Sequence, residues 1–227
     1  MSEPMPTRPD LRNQDGPQRS ELLERAAHDL KNPLAVVRSA LEWLAVELEG
    51  REDALDAIRD ATTAGARLVA IVDDLDALAR LDRDSAIASE ATDVTAMIGQ
   101  VTSVAATRLS ERGLTIVSSA PPSAPIDGDA DLLVRSLHAL IDACARGAPV
   151  GTCIEMQVRL GDIVEIEIGQ RGTSPSAPET TAIDELASGG LGVYVALQVA
   201  NAHRGSLVVL PTETMPRALI RLPRSRR

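Results

Sequence analysis

The sequence predicts an α+β chain: a long antiparallel helical hairpin, then an α/β sandwich. Three observations predict it. Apolar residues recur at three- and four-residue spacing from Leu22 to Leu78. A polar stretch then breaks the period. Beyond it, short β-branched runs alternate with helical segments.

Residues 1–18 are rich in Pro, Asp, Arg and Gln and lack apolar periodicity, so they read as a disordered leader. From Ser20, the residues Leu22, Leu23, Ala26, Leu30, Leu34, Val37, Leu41, Leu44 and Leu48 form one stripe of a helix running to Glu49. Gly50 stops it where a left-handed cap is cheapest. A second helix runs from Arg51 to Leu81, with Leu55, Ile58, Leu68, Val69, Val72, Leu75 and Leu78 on its stripe. A turn this short folds the pair back on itself, giving a hairpin domain over 19–82. One apolar face stays uncovered. Pairing with a second copy covers it, as a homodimeric four-helix bundle; the C-terminal half is the other available cover.

Residues 83–92 read as a linker and 93–223 as the sandwich. A helix is expected from Val94 to Arg112, closed by Gly113, and a strand over 114–117. Pro121, Pro122 and Pro125 make a turn. Asp129 or Asp131 caps a helix through Ala145. Strands follow at 152–160 and 163–168, a polar loop at 169–188, a helix at 193–202, and strands at 206–210 and 218–222. A mixed sheet with helices on one face accommodates this order. The basic end of the chain, with 224–227 as its tail, reads as solvated.

The formal charge of −10 argues against non-specific nucleic-acid or anionic-membrane binding. With one Trp, one Tyr and no Phe, the core must be aliphatic, and the composition argues against a base-stacking surface. No stretch approaches the ~20 apolar residues that cross a bilayer. Cys144 and Cys153 form no CxxC pair and read as reduced thiols. The expectation is a soluble cytoplasmic protein without membrane contact. No metal-ligand spacing is present.

The chemistry is concentrated in His28-Asp29-Leu30-Lys31-Asn32-Pro33-Leu34. Neutral imidazole is a nucleophile near neutral pH. Asp29 can hydrogen-bond one ring nitrogen and leave the other free to attack. Asn32 lies one helical turn after His28, so the two share a face. Glu21, Glu24 and Arg25 mark that region as wet. Pro33 removes the backbone bond to the carbonyl of Asp29 and should bend the helix, at a cost of about 3 kcal/mol. A lone exposed histidine usually has no task; one dressed in this way has one. His203, in Ala202-His203-Arg204-Gly205, reads as structural, and His138 as a packing residue.

The seven residues from His28 to Leu34 resemble the H box of bacterial sensor histidine kinases, and the hairpin resembles their dimerisation and phosphoacceptor domain. The resemblance extends over roughly 20–222. Asp129-Ala130-Asp131-Leu132-Leu133 with Leu140-Ile141-Asp142 resembles the entry to the N box of the kinase ATPase domain. Gly189-Gly190-Leu191-Gly192-Val193, with Val199 to Gly205, resembles the last glycine box and its helix. The resemblance implies that His28 is the phosphoacceptor, that Asp29 assists it and that Asn32 helps dephosphorylate a partner regulator. It also implies that Gly190 and Gly192 bring backbone N–H groups to nucleotide phosphates, that receiver domains of response regulators are the partners, and that the C-terminal sandwich is ATPase-like.

Departures from the pattern shape the functional expectation. Ala139 and Ala143 stand where the family has asparagines, the second of which helps hold Mg²⁺, an ion that wants oxygen ligands. Gln170 stands where an Asp accepts from adenine, and in Gln170-Arg171-Gly172-Thr173-Ser174 the glycines are reduced to Gly172. The expected protein is a histidine phosphotransferase descended from a kinase, with a vestigial nucleotide site, no resident cofactor and no metal. Two other readings stay open. One is an active soluble kinase using ATP and Mg²⁺ at a divergent site. The other is a non-catalytic scaffold or phosphatase that binds a response regulator.

Overall fold

The computed structural model describes residues 16–48, 51–83, 90–172, 191–210 and 217–225, with the side chains at 16–29, 32, 33, 53, 83, 209 and 210 outside that description. The chain divides into two compact units, Met1–Ser85 and Ala86–Arg227. The leader expected over 1–18 lies outside the described residues up to position 15, and its last three residues belong to the first helix. Gly50 also lies outside them.

The first unit is a pair of 32-residue helices, α1 (Gly16–Glu47) and α2 (Glu52–Arg83). Their apolar stripes explain the pairing: Leu34, Leu41 and Ala45 on α1 and Leu48 just past its end are half-buried, as are Leu55, Ile58 and Val69 on α2. The helix runs on through Pro33. Apolar surface remains: Leu30, Val37 and Leu44, spaced by seven, are exposed, together with Leu68 and Ile71 of α2.

The second unit begins with β1 (Glu90–Asp93), paired antiparallel with β3 (Pro125–Gly128). This departs from the sequence expectation, which placed 90–92 in a linker and 125 in a turn. Such a short polar strand has no apolar alternation to announce it; the ladder to β3 makes it. The α3 helix (Val94–Ser110) follows directly, capped by Asp93, whose Oδ1 accepts from the N–H of Thr95 at 2.9 Å. Gly113, at φ +68°, closes α3, with the N–H of Leu114 donating to the carbonyl of Leu109 at 2.9 Å.

The five-stranded sheet has the order β2 (Thr115–Ser119), β4 (Cys153–Leu160), β5 (Ile163–Gln170), β7 (Arg217–Pro223), β6 (Ser206–Leu210). Only the β2–β4 pair is parallel among these neighbours. The α4 (Ala130–Cys144) and α5 (Leu191–Ala202) helices pack with α3 against one face. Registration places Val158, Ile166, Ile220 and Leu207 side by side across β4, β5, β7 and β6. All four are buried, as are Met156, Ile168 and Ala218 in the next row. Burial of these aliphatic rows supplies the core that the scarce aromatics cannot.

The other face is charged. Glu167 accepts from Arg159 Nη2 at 2.7 Å and pairs with Arg217 Nε at 2.8 Å, while Arg221 and Glu165 pair at 3.0 Å. Arg217 and Glu167 are both buried. Strand 217–223 agrees with the strand expected over 218–222; the reading of the basic end as solvated is corrected at Arg217, which is buried, at Arg224, which bridges to Ile126, and at Ser225, which is buried. Residues 226 and 227 lie outside the described residues.

Candidate functional site

The H box lies wholly within α1. Helical spacing sets His28 and Asn32 on one face, with Asp29 a position further round. The side chains of His28, Asp29, Asn32 and Pro33 are outside the described set, so the geometry begins with Lys31. Its Nζ lies 2.9 Å from Asp73 Oδ1 and 3.6 Å from Asp76 Oδ2 on α2. The hydrogen bond to Asp73 raises the proton affinity of Lys31 above the ordinary lysine value, against a smaller opposing effect of burial. Lys31 and Asp73 form part of a groove of about 260 Å³ whose other walls are Leu34, Ala35, Arg38 and Val69. The sequence signal for the two acids was their i, i+3 spacing on α2, level with the H box once the hairpin folds back. They were not singled out because no local pattern names a partner across a turn.

The remaining candidates lie in the second unit. Asp129 caps α4, its Oδ1 accepting from the N–H of Leu132 at 3.0 Å. Of the two acids expected as the cap, Asp129 holds the position. Ala139 is half-buried on α4 and Ala143 is buried. Neither methyl group carries a lone pair for a cation or a proton donor for a phosphate. Next to Ala139, His138 Nδ1 lies 3.2 Å from Arg108 Nη2, and Arg108 Nη1 donates to Asp142 Oδ2 at 3.0 Å. Burial first, then the Arg108 charge, lowers the His138 pKa below the usual histidine value; Asp142 opposes them. Because a guanidinium can only donate, His138 Nδ1 is the acceptor in this link between α3 and α4.

Gln170 ends β5, and its carbonyl faces Arg217 Nη1 at 3.4 Å. A Cβ on the neighbouring Gly169 would collide with the Arg217 side chain, so the guanidinium crosses the strand where only glycine leaves room. Gly172 follows at φ +81° with open space around it. Gly192 sits in the first turn of α5. Gly189, Gly190 and the polar loop expected over 169–188 lie outside the described residues from 173 to 190. Among the described residues, no group of three or more His, Cys, Asp or Glu is placed to hold a metal ion.

Magnesium needs near-octahedral oxygen ligands, and Ala139 and Ala143 on α4 offer none.

His203 is buried at the end of α5. Its Nε2 accepts from the N–H of Asp129 at 2.9 Å, and its Nδ1 lies 2.7 Å from the carbonyl of Val199. Both ring nitrogens are engaged, which is a structural assignment. Gly205 donates its N–H to Ala200 at 2.8 Å, and Arg204 takes φ +58° between them. Cys144 is buried with Sγ 3.5 Å from the carbonyl of Ile168; burial pushes its thiol up to about 12. Cys153 is half-buried, and both cysteines are free.

Residues 18–84 match the His Kinase A (phospho-acceptor) domain. The chain is 24% identical over 204 residues to the signal transduction histidine-protein kinase BaeS of Escherichia coli K12, a match covering 84% of this chain and 43% of BaeS. Full-length ShkA in complex with AMPPNP superposes with a TM-score of 0.65 at 18% identity, covering 91% of this chain and 46% of ShkA. The Acinetobacter baumannii histidine kinase AdeS superposes at 0.57 with 19% identity, covering 86% of this chain and 97% of the AdeS chain. The chain thus spans less than half the length of BaeS and of full-length ShkA. Among the described residues, no helix is long and apolar enough to cross a membrane.

Proposed function

We propose, on the premise that this chain joins a His Kinase A phospho-acceptor domain to a histidine-kinase-type ATPase fold and belongs to two-component signalling, that it is a histidine phosphotransfer protein. His28 takes a phosphoryl group from a receiver-domain aspartyl phosphate and passes it to another receiver aspartate. The observation that carries the reading is the donor set of α4. Ala139 and Ala143 offer, at these two positions of α4, no oxygen ligand for a metal that neutralises phosphate charge, and phosphoryl transfer depends on that neutralisation and on positioning.

An aspartyl phosphate needs no such site, because it is already an activated mixed anhydride. The unprotonated ring nitrogen of His28 attacks phosphorus while the acyl–phosphate P–O bond breaks. The electron pair leaves on the receiver's carboxylate. The proton on the other ring nitrogen is held by Asp29. The reverse step, onto a second receiver, exchanges the roles. Asn32, on the face of His28, orients the incoming oxygens.

The hairpin's uncovered stripe supports a homodimer. Leu30, Val37 and Leu44 recur at the heptad interval and face solvent with Leu68 and Ile71. Burying such a seam against a second copy removes apolar surface from water.

The test uses a receiver domain carrying a labelled aspartyl phosphate. Wild type should gain acid-labile label, and His28→Gln should gain none. Label acquired from ATP and Mg²⁺ alone would overturn the reading in favour of an active kinase. Loss of receiver label as free phosphate, persisting in His28→Gln, would overturn it in favour of a phosphatase.

A further inference from the structure

Lys31 stands three positions after His28 on α1, which places it on the adjoining part of the same turn. Its ammonium is shared between Asp73 and Asp76, an i, i+3 pair on α2. Pro33, two residues further along, has no N–H to donate to the carbonyl of Asp29. The helix therefore loses an internal hydrogen bond in the turn that has to present an attacking atom. Side chains on a helix lean toward its N-terminus. The stem of Lys31 therefore lies back over the turn carrying His28, while its head is fixed to the other helix.

We propose that Lys31, tied to Asp73 and Asp76, is a positioning residue for the chemistry at His28, holding the phosphoacceptor turn of α1 in register against α2. The inference rests on the assignment of His28 as phosphoacceptor. The tie replaces, across the hairpin, the restraint that Pro33 removes along it. In-line displacement at phosphorus is sensitive to that restraint, since a misplacement near 1 Å costs up to about a hundredfold in rate. The same lysine walls the groove with Leu34, Ala35 and Val69, so loosening it also leaves the adjoining surface of α1 less fixed. Among the described residues, the charged groups beside Lys31 are Asp73 and Asp76 from α2, and Arg38 lines the same groove.

The experiment follows phosphotransfer from a labelled receiver over a range of receiver concentrations. The full-length variants are Lys31→Met, Lys31→Arg, Lys31→Asp and the charge swap Lys31→Asp with Asp73→Lys. Circular dichroism checks that each is folded. Lys31→Met should lower the maximal rate about ten- to a hundredfold with the half-saturating receiver concentration little changed. Lys31→Arg should recover most of that loss, because a guanidinium also spans two carboxylates. The swap should exceed Lys31→Asp alone. An unchanged maximal rate in Lys31→Met overturns the inference, as does a loss confined to half-saturation, which would mark a receiver contact. A swap no better than Lys31→Asp overturns it too, since the ammonium itself would then be the requirement. A wild-type chain that accepts no phosphoryl group overturns the proposed function and this inference together, whereas transfer by wild type with Lys31→Met unaffected overturns this inference alone.

Discussion

The Nε2 of His203 accepts the backbone N–H of Asp129 at 2.9 Å, so the last turn of α5 holds the first turn of α4. The bond requires the tautomer with its proton on Nδ1, which then donates to Val199. Gly128 completes the arrangement, because a Cβ there would overlap the imidazole ring.

Replacing His203 by leucine should cost about 1 kcal/mol, because the part-buried N–H of Asp129 loses its bond to His203 Nε2. Urea unfolding measures this. Gly128→Ala should destabilise through the same ring, so the double variant should fall short of the summed losses. Additive losses would show that the two residues act separately.

Glu167 and Arg217 are the buried ion pair of the sheet's outer face. Glu167→Gln leaves the guanidinium with much weaker compensation and should destabilise by about 3 kcal/mol. Replacing both by apolar residues of similar volume should cost far less, as read from the denaturation midpoint.

Asp93 caps α3 and also accepts from the N–H of Ala124 at 3.0 Å and from Ser123 Oγ at 2.7 Å. The Ala124 bond, ahead of the others, lowers its pKa below the ordinary 3.8. A depressed carboxylate contributes stability that is present above the unfolded value and is lost as pH falls through the folded one. Asp93→Ala should therefore cost about 1 kcal/mol at neutral pH, and its deficit against wild type should shrink below pH 3.8. Paired thermal melts at neutral and acid pH check this; a deficit that does not depend on pH would contradict it.

Calorimetry with millimolar ATP and Mg²⁺ should give no binding heat, because positions 139 and 143 carry methyl groups. Saturable heat would show that other donors complete a nucleotide site.

Much of the fold was legible in the sequence because its periods are local. The stripes from Leu22 to Leu78 mark the two helices, and the strand expected over 152–160 matches β4. Asp129 could be read as a cap because its signal lies within four residues. Arg217 could not be read correctly. The basic residues scattered from it to the end of the chain look solvated, and its burial depends on Glu167, fifty residues earlier in the chain. Strand β1 escaped for the same reason, since Glu90-Ala91-Thr92-Asp93 becomes a strand only beside β3. At the candidate site, His28 stands out by its neighbours and Ala143 by a family pattern. The Lys31–Asp73 tie needed the hairpin in three dimensions.

The parallel pairing of β2 with β4 bears on the order of folding. Strands β4 and β5 meet across a tight turn in which Gly161 donates to Ile163 at 2.9 Å, so their ladder can close quickly. Strand β2 joins β4 only after β3 and α4 have crossed over between them, a closure that is entropically slower. The outermost strand, lying beyond the fast hairpin, should be the last to zip and the first to fray, leaving the sheet to grow outward from β4 and β5.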